Sequence, residues 1–442
     1  MGGSTENTPA FEERVVATLK RVATPLETTA DLDPLMERIG DARVVMLGEA
    51  SHGTHEYYTW RSRITKRLIL EKGFNFIAVE GDWPDCYRIN RYIKGDASEK
   101  KAVDVVRQFH RWPTWMWANW EVIALTEWLY QYNWPLAIGQ KIGFYGLDVY
   151  SLWDSLHEIR AYLQENDPGS LAAAEKAFRC FHPYKDEEGI SYAKRLRLVP
   201  QTCETEVINL LTQFRQRMGG YDHDPENIFS TEQNALVAIN AEKYYRSMLE
   251  GGAASWNVRD QHMQETLERL LDFHGTESKA IVWEHNTHIG DARATDMTNE
   301  GMVNIGELAR TRFGIEEVVL VGFGSYQGTV VAGKSWGAEM QEMPVPEAVA
   351  GSWEDLMHQA GGNKLLLLDD LRRDLLFASN SIGHRAIGVV YNPAFEQYGN
   401  YVPSIMPLRY DAFIHIDTTR ALHPLRVDAD EHEMPDTYPF GE

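Results

Sequence analysis

Glu49, Ser51, His52, Thr54, His55 and Glu56 crowd into eight positions directly after the apolar run RVVMLG. Similar chemistry closes other apolar runs. Glu80 and Asp82 follow NFIAV, Asp148 ends IGFYGLD, and Glu284, His285 and His288 follow KAIVW. Imidazoles beside carboxylates are groups that move protons near neutral pH, and neutral imidazole with carboxylate also suits a metal. The chain carries no G-x-S-x-G elbow, no H-E-x-x-H and no phosphate-binding P-loop. A hydrolase built on these residues would use water, rather than a serine or cysteine, as nucleophile.

Each candidate has an architectural role to weigh beside the chemical one. Ser51 and Thr54 suit the N-cap of the helix that follows, and Glu56 suits the positive end of its dipole. His55 lies one turn beyond His52 and is the weaker candidate of the two. Arg61, two turns into that helix, is placed to pair with Glu80 or to hold a substrate oxygen. Asn286 and Thr287 read as turn or capping residues between His285 and His288. The segment WPTWMWANW holds Trp112, Trp115, Trp117 and Trp120; an aromatic stripe of this kind is core packing, but Trp112 and Trp115 precede the regular helix and can wall an apolar pocket. Trp83 and Asp148, at two of the strand ends, complete the expected substrate-contacting set. The segment GFGSYQG lacks the spacing of a dinucleotide loop.

Positioning these groups requires a sheet. The runs at 43–48, 75–80, 142–148, 279–284 and 317–322 are short, aliphatic and closed by Gly or an acid, which predicts buried parallel strands. Ligands in open α/β sheets bind beyond the carboxyl ends of the strands. Between the first two runs, THEYYTWRSRITKRLILEKG has helical spacing and ends in Gly73, so the three elements form a βαβ unit. From Ser151 to about residue 275 the pattern is helical throughout, a cap inserted over the sheet edge that carries the site. Strand character returns in NKLLLLDD, HRAIGVVYNP and DAFIHIDTT. The expected architecture is α/β, a mostly parallel central sheet flanked by helices, in a single domain spanning 1–442 with the cap at about 151–275.

Composition limits the partners. With 43 Lys and Arg against 65 Asp and Glu, the formal net charge is -22, which opposes binding to nucleic acid phosphates. No apolar run approaches the about 18 residues that span a bilayer, and the N-terminus has no export signal, so neither a membrane nor a secreted protein is expected. Cys86, Cys180 and Cys203 are far apart with no C-x-x-C pair, which argues against a disulfide framework and a thiolate zinc site and fits a cytoplasmic location.

Taken together, GEASHGT, AVEGDW, PTWMW, FYGLDVYS, WEHNTHIGD and LVGFGSYQGT resemble the erythromycin esterase family, over residues 12 to about 425. The segments PTWMWANW and RCFHPYKDEEG resemble a broad branch of that family rather than its resistance enzymes. The resemblance implies an α/β sheet with a helical cap and a histidine that activates water to open an ester. Matched by motif, that histidine is His52, its neighbouring glutamate is Glu49, and the arginine nine residues on is Arg61. The glutamate closing the next strand is Glu80, and the histidine pair is His285 and His288. The expected function is hydrolysis of a carboxylic ester or lactone, macrolide-like ones included, with no cofactor. In this scheme His52 is general base, Glu49 and Glu80 orient it, His285 or His288 acts as acid or oxyanion donor, and Arg61 offsets negative charge. Two alternatives remain at this level: a hydrolase whose metal is held by the same histidines and carboxylates, and a non-catalytic accessory protein that binds a small molecule or polysaccharide.

Overall fold

The computed structural model describes residues 9–181, 202–217, 224–248 and 252–428. Its strands are β1 (Thr24–Pro25), β2 (Val44–Leu47), β3 (Phe76–Asp82), β4 (Gly143–Asp148), β5 (Ala280–Trp283), β6 (Val318–Ala332), β7 (Gln341–Val345), β8 (Lys364–Leu367), β9 (Ile382–Arg385), β10 (Tyr401–Ser404) and β11 (Ala412–Thr419). The main sheet runs β1-β8-β11-β6-β2-β5-β3-β4, with β7 attached to β6. From β11 to β4 neighbouring strands are parallel, whereas β8 is antiparallel to β11 and β1 to β8. This is the mixed α/β architecture expected from the sequence. The inner strands are aliphatic on both faces because helices cover both: every residue of β2, β3, β4 and β5 is buried.

Strand order is where the structure departs from the sequence pattern. β2 and β3 are joined by the helix His55–Lys72, which Gly73 closes at φ 72°, yet β5 lies between them. The chain leaves β2 towards β3 over one face of the sheet. It leaves β5 towards β6 through the helix Ile305–Phe313, which packs with Val44 and Met46 on the other face. The adjacent ends of β2 and β5 therefore diverge, which opens the crevice where such sheets bind ligands. Register levels the ends: Leu47 pairs with Trp283, Trp283 with Val79, and Val79 with Gly146. At about 4.8 Å per strand, Glu49, Glu284, Glu80 and Asp148 start from backbones spread over about 15 Å.

Three smaller expectations are revised. HRAIGVVYNP is regular strand only at its first residues, which fall in β9 and pair with β10; beyond them it makes isolated bridges, Ile387 to Ser51 and Val390 to Gly333. Thr54 occupies the N-cap position of the helix His55–Lys72, but its hydroxyl is shared with Ser51 and caps no N–H. The expectation that no disulfide forms is overturned: Cys180 and Cys203 are bonded with Cα atoms 5.9 Å apart, and buried Cys86 stays outside the bridge. Packing between the helices Leu171–Phe181 and Glu204–Arg217 brings the two together, which spacing along the chain does not reveal. Because disulfides persist in oxidising surroundings, cysteine usage no longer argues for a reducing compartment.

The region expected to be a helical cap contains Leu152–Asn166, Leu171–Phe181, Glu204–Arg217, Pro225–Ser247 and Ala253–His274. Residues 182–189 of RCFHPYKDEEG lie outside the described residues. The last of these helices lays Met263, Leu267, Leu270 and Leu271 against Val44, Met46, Ala78 and Val282 of the sheet. No helix among the described residues is long and apolar enough to cross a membrane.

The turn after β2 depends on a missing side chain. The Gly53 carbonyl accepts the N–H groups of Val331 and Leu422, at 3.0 Å each, and a Cβ on Gly53 would overlap the backbone of Val331. Gly53→Ala is therefore expected to destabilise the protein by at least about 2 kcal/mol, as overpacking against backbone does. Urea unfolding of the purified variant beside wild type measures this, and equal midpoints would contradict it.

Candidate active site at the strand ends

The turn after β2 supplies an imidazole fixed from one side. Glu49 Oε1 lies 3.0 Å from His52 Nδ1, and Arg61 Nη2 donates to the other oxygen of Glu49 at 2.5 Å. The Arg61 guanidinium lies between the rings of Tyr58 and Trp283, 4.5 and 4.6 Å from their centroids. With its Nδ1 hydrogen donated to Glu49, His52 presents a lone pair at Nε2, which has no hydrogen-bond partner. Arg61 thus pairs with Glu49, not with Glu80 as the sequence suggested, because Trp283 and Tyr58 hold its guanidinium on that side.

The turn after β5 supplies the second imidazole. The His285 and His52 rings are 5.0 Å apart, tilted by 40°. Thr287 holds His285 Nδ1 through its hydroxyl at 2.8 Å and its backbone N–H at 3.4 Å, and His285 Nε2 has no hydrogen-bond partner. An Nδ1 that accepts the backbone N–H leaves the hydrogen on Nε2. Burial, reinforced by neighbouring His52, pushes the His285 pKa well below its ordinary value, so the ring stays neutral. The loop is pinned by Asn286, whose N–H donates to the Glu49 carbonyl at 2.8 Å and whose amide bridges both backbone groups of Phe323 in β6.

Behind these rings lies a buried ionic network that the sequence pattern did not expose. Arg259, fully buried on the helix Ala253–His274, donates through Nη2 to Glu80 and Asp148 at 2.7 Å each, and through Nε to Asp148 at 3.0 Å. Its Nη1 is 2.9 Å from His288 Nε2, while Asp260 takes His288 Nδ1 at 3.0 Å. A guanidinium has only hydrogens to offer, so the Nη1 contact is a hydrogen bond to the Nδ1–H tautomer of His288. Both nitrogens of His288 are therefore engaged, and its ring stacks on Trp256 at 4.5 Å. Glu80 uses its second oxygen to accept the His285 N–H at 2.8 Å. Burial disfavours the Glu80 charge, but His288, Arg259, His52 and that N–H outweigh it and hold the carboxyl far below its ordinary range.

The structure brings Glu49, His52, Arg61, Glu80, His285 and His288 into one buried cluster and divides their tasks differently from the sequence reading. Glu80 holds the His285 backbone and Arg259 instead of orienting His52. Asp148, expected from the sequence to contact substrate, is engaged by Arg259 and by Val149 N–H. Trp83 is core: it is fully buried, stacks on Tyr87 and Tyr145, and donates its indole hydrogen to Ser230. Trp112 and Trp115 meet edge to face at 5.3 Å and line a cavity of about 820 Å³ with Val331, Met340, Leu422 and Val427. His52 is one residue from that wall, through the Gly53 bonds to Val331 and Leu422. Arg259 and Asp260 left one signal in the sequence: charged residues on the Trp256, Met263, Leu267 stripe of an amphipathic helix.

Glu284 closes β5 with neither carboxyl oxygen hydrogen-bonded. Burial first, then the carboxylates of Glu80, Asp260 and Asp148, raise its pKa well above the ordinary range, with Arg259 only partly opposing them. A carboxyl raised on folding stabilises the protein fully below its unfolded pKa of about 4.3 and loses that contribution as pH rises towards the folded value. Glu284→Gln should therefore gain stability relative to wild type as pH rises above about 4.3, by at most about 1.4 kcal/mol per pH unit. Unfolding free energies from pH 4 to 8 measure the slope, and a constant difference would contradict a neutral Glu284.

A parallel sheet with imidazole and carboxylate at a switch point defines an α/β protein equipped for proton transfer. Comparison with known proteins supplies the family. The chain belongs to the erythromycin esterase family, whose model matches residues 69–419, a span that includes Glu80, His285 and His288 but begins after Glu49, His52 and Arg61. It is 22% identical over 382 residues to erythromycin esterase type II of Escherichia coli, covering 81% of this chain and 88% of that protein. It is also 22% identical over 424 residues to the putative hydrolase YbfO of Bacillus subtilis, covering 90% of each. Among solved structures, a succinoglycan biosynthesis protein superposes with a TM-score of 0.75 at 20% identity, over 94% of this chain and 99% of that one. A Bacillus cereus protein gives 0.76 at 19%, with the same coverage. The erythromycin esterase EreC, a mutant in its open conformation, gives 0.67 at 15%, over 91% of this chain and 97% of its own. Family membership and the hydrolase names of these relatives support a hydrolase.

Proposed function

We propose that this protein hydrolyses a carboxylic ester or lactone by water attack, with His52 as general base. The observation that carries the reading is the complementary pair of imidazole edges. His52 Nε2 offers a lone pair and His285 Nε2 a hydrogen, on rings 5.0 Å apart at the switch point of the sheet. His52 takes a proton from water as the water oxygen bonds to the carbonyl carbon. The oxygen that becomes negative accepts the His285 Nε2–H. The imidazolium then returns its proton to the departing alkoxide as the C–O bond breaks, leaving a carboxylic acid and an alcohol. Glu49 receives the Nδ1 hydrogen throughout and stabilises the imidazolium, and Arg61 fixes Glu49. Glu80 and His288 act through Arg259 and the His285 backbone, holding the donor in place.

His52, His285, Glu49 and Glu80 are each at most 2% exposed, so the layer over the crevice must move for an ester to enter. The wall formed by Trp112 and Trp115 suits an apolar acyl or alcohol portion, and a macrolactone is one candidate among many.

A panel of aryl esters, simple lactones and macrolides tests the reading. With the best substrate, His52→Ala is expected to lower kcat by about 100- to 10,000-fold with the fold intact, and Glu49→Gln to lower it by a smaller factor. Turnover unchanged by His52→Ala would remove His52 as base, and absence of turnover across the panel would count against hydrolysis of esters.

A further inference from the structure

His55, Glu121 and His423 form a second cluster of imidazole and carboxylate away from the strand-end site. His55 opens the helix His55–Lys72, Glu121 lies in the first turn of the helix Trp120–Asn133, and His423 follows β11. Backbone bonds fix the three segments to each other: His55 N–H to the Arg420 carbonyl at 2.8 Å, Trp120 N–H to the His423 carbonyl at 3.0 Å, and Leu425 N–H to the Ala118 carbonyl at 2.7 Å. On this frame both imidazoles turn Nδ1 to the same oxygen of Glu121, each at 2.6 Å, with the rings edge to face at 5.1 Å. One donor atom from each residue lies within 4.8 Å of the other two. The Glu121 side chain is 5% exposed, that of His55 21% and that of His423 60%, so the carboxylate is sheltered while solvent reaches the imidazole side.

Backbone pairing already holds the C-terminal segment here, so two histidines aimed at one carboxylate oxygen exceed what attachment needs. Two imidazoles and a carboxylate suit a borderline divalent transition metal, whereas magnesium and calcium favour all-oxygen sites. We propose that His55 Nδ1, His423 Nδ1 and the Glu121 carboxylate bind one divalent ion of the zinc type, with water completing the coordination. The ion replaces the hydrogens now shared with Glu121 as each imidazole shifts to its Nε2–H tautomer. Its effect is to pin residues 420–425, of which Leu422 and Pro424 line the Trp112 and Trp115 cavity. The site is independent of the hydrolase reading, and its test does not depend on activity.

The experiment titrates zinc chloride into full-length protein freed of metal by a chelator, following heat of binding and melting temperature. Cobalt(II) then serves as a probe whose visible d–d bands report nitrogen and oxygen ligation. One ion per chain is expected, with a higher melting temperature, and no comparable binding of magnesium or calcium. His423→Ala, on an exposed side chain that the fold tolerates, and His55→Gln should each weaken zinc binding by about 10- to 100-fold or more, since loss of a ligand costs at least as much as loss of a supporting residue. Glu121→Gln should do the same and change the cobalt spectrum. Absence of stoichiometric binding would overturn the proposal. So would binding equally tight in all three variants, including binding that is lost instead on Asp417→Asn, beside His358 and His415.

Discussion

The buried guanidinium of Arg259 is the interaction on which the site depends. It is fully enclosed, and it answers carboxylates from two different strands, Glu80 near the end of β3 and Asp148 at the end of β4, as well as His288 after β5. An unpaired carboxylate in such a place carries a large desolvation cost, and removing one partner of a buried ion pair costs about 3–5 kcal/mol. The helix Ala253–His274 is thereby fastened to the sheet edge by charge as well as by its apolar stripe. Once Glu80 is held ionised, its second oxygen can fix the His285 N–H, and the imidazole that faces His52 inherits its position from a residue it does not touch.

The two histidines of HNTH show how neighbours decide the role of identical side chains. His288 gives one nitrogen to Asp260 and the other to Arg259, so its hydrogen-bonding capacity is spent within the protein. His285 engages Nδ1 through Thr287, and its Nε2 makes no hydrogen bond to another side chain. The same contrast separates the two histidines after β2. His52 keeps a free Nε2 opposite His285, while His55, one helical turn on, faces outward to Glu121 and His423.

Close backbone approach is the complementary constraint. Gly48 abuts the Asn286 amide, and Gly53 lies against Val331, so the turn passes under β6 and the C-terminal segment with no room for a side chain at either glycine. That proximity links the turn bearing His52 to the wall bearing Trp112 and Trp115. A displacement of residues 420–428 would therefore be felt at His52 through the Gly53 carbonyl, which Leu422 N–H occupies.

The sequence by itself determined the inner strands, the helix between β2 and β3, the helical character of most of the following hundred residues, and the chemistry at the strand ends. These are written in local patterns: aliphatic runs buried on both faces, a 3.6-residue period, and acids and histidines immediately after each run. Glu49, His52, Glu80 and His285 were legible because strand ends in a parallel sheet share one edge. Only the tertiary structure decided that β5 lies between β2 and β3, that Arg61 serves Glu49, that Trp83 is core, and that Cys180 meets Cys203. It alone brought Arg259 and Asp260 into the site, because their helix reads as an ordinary amphipathic one. Their partners come from the ends of three strands, more than a hundred residues upstream for Glu80 and Asp148, and about thirty downstream for His288. Pairing between distant groups depends on strand order and on which helix covers which face, and neither leaves a periodic trace in the chain.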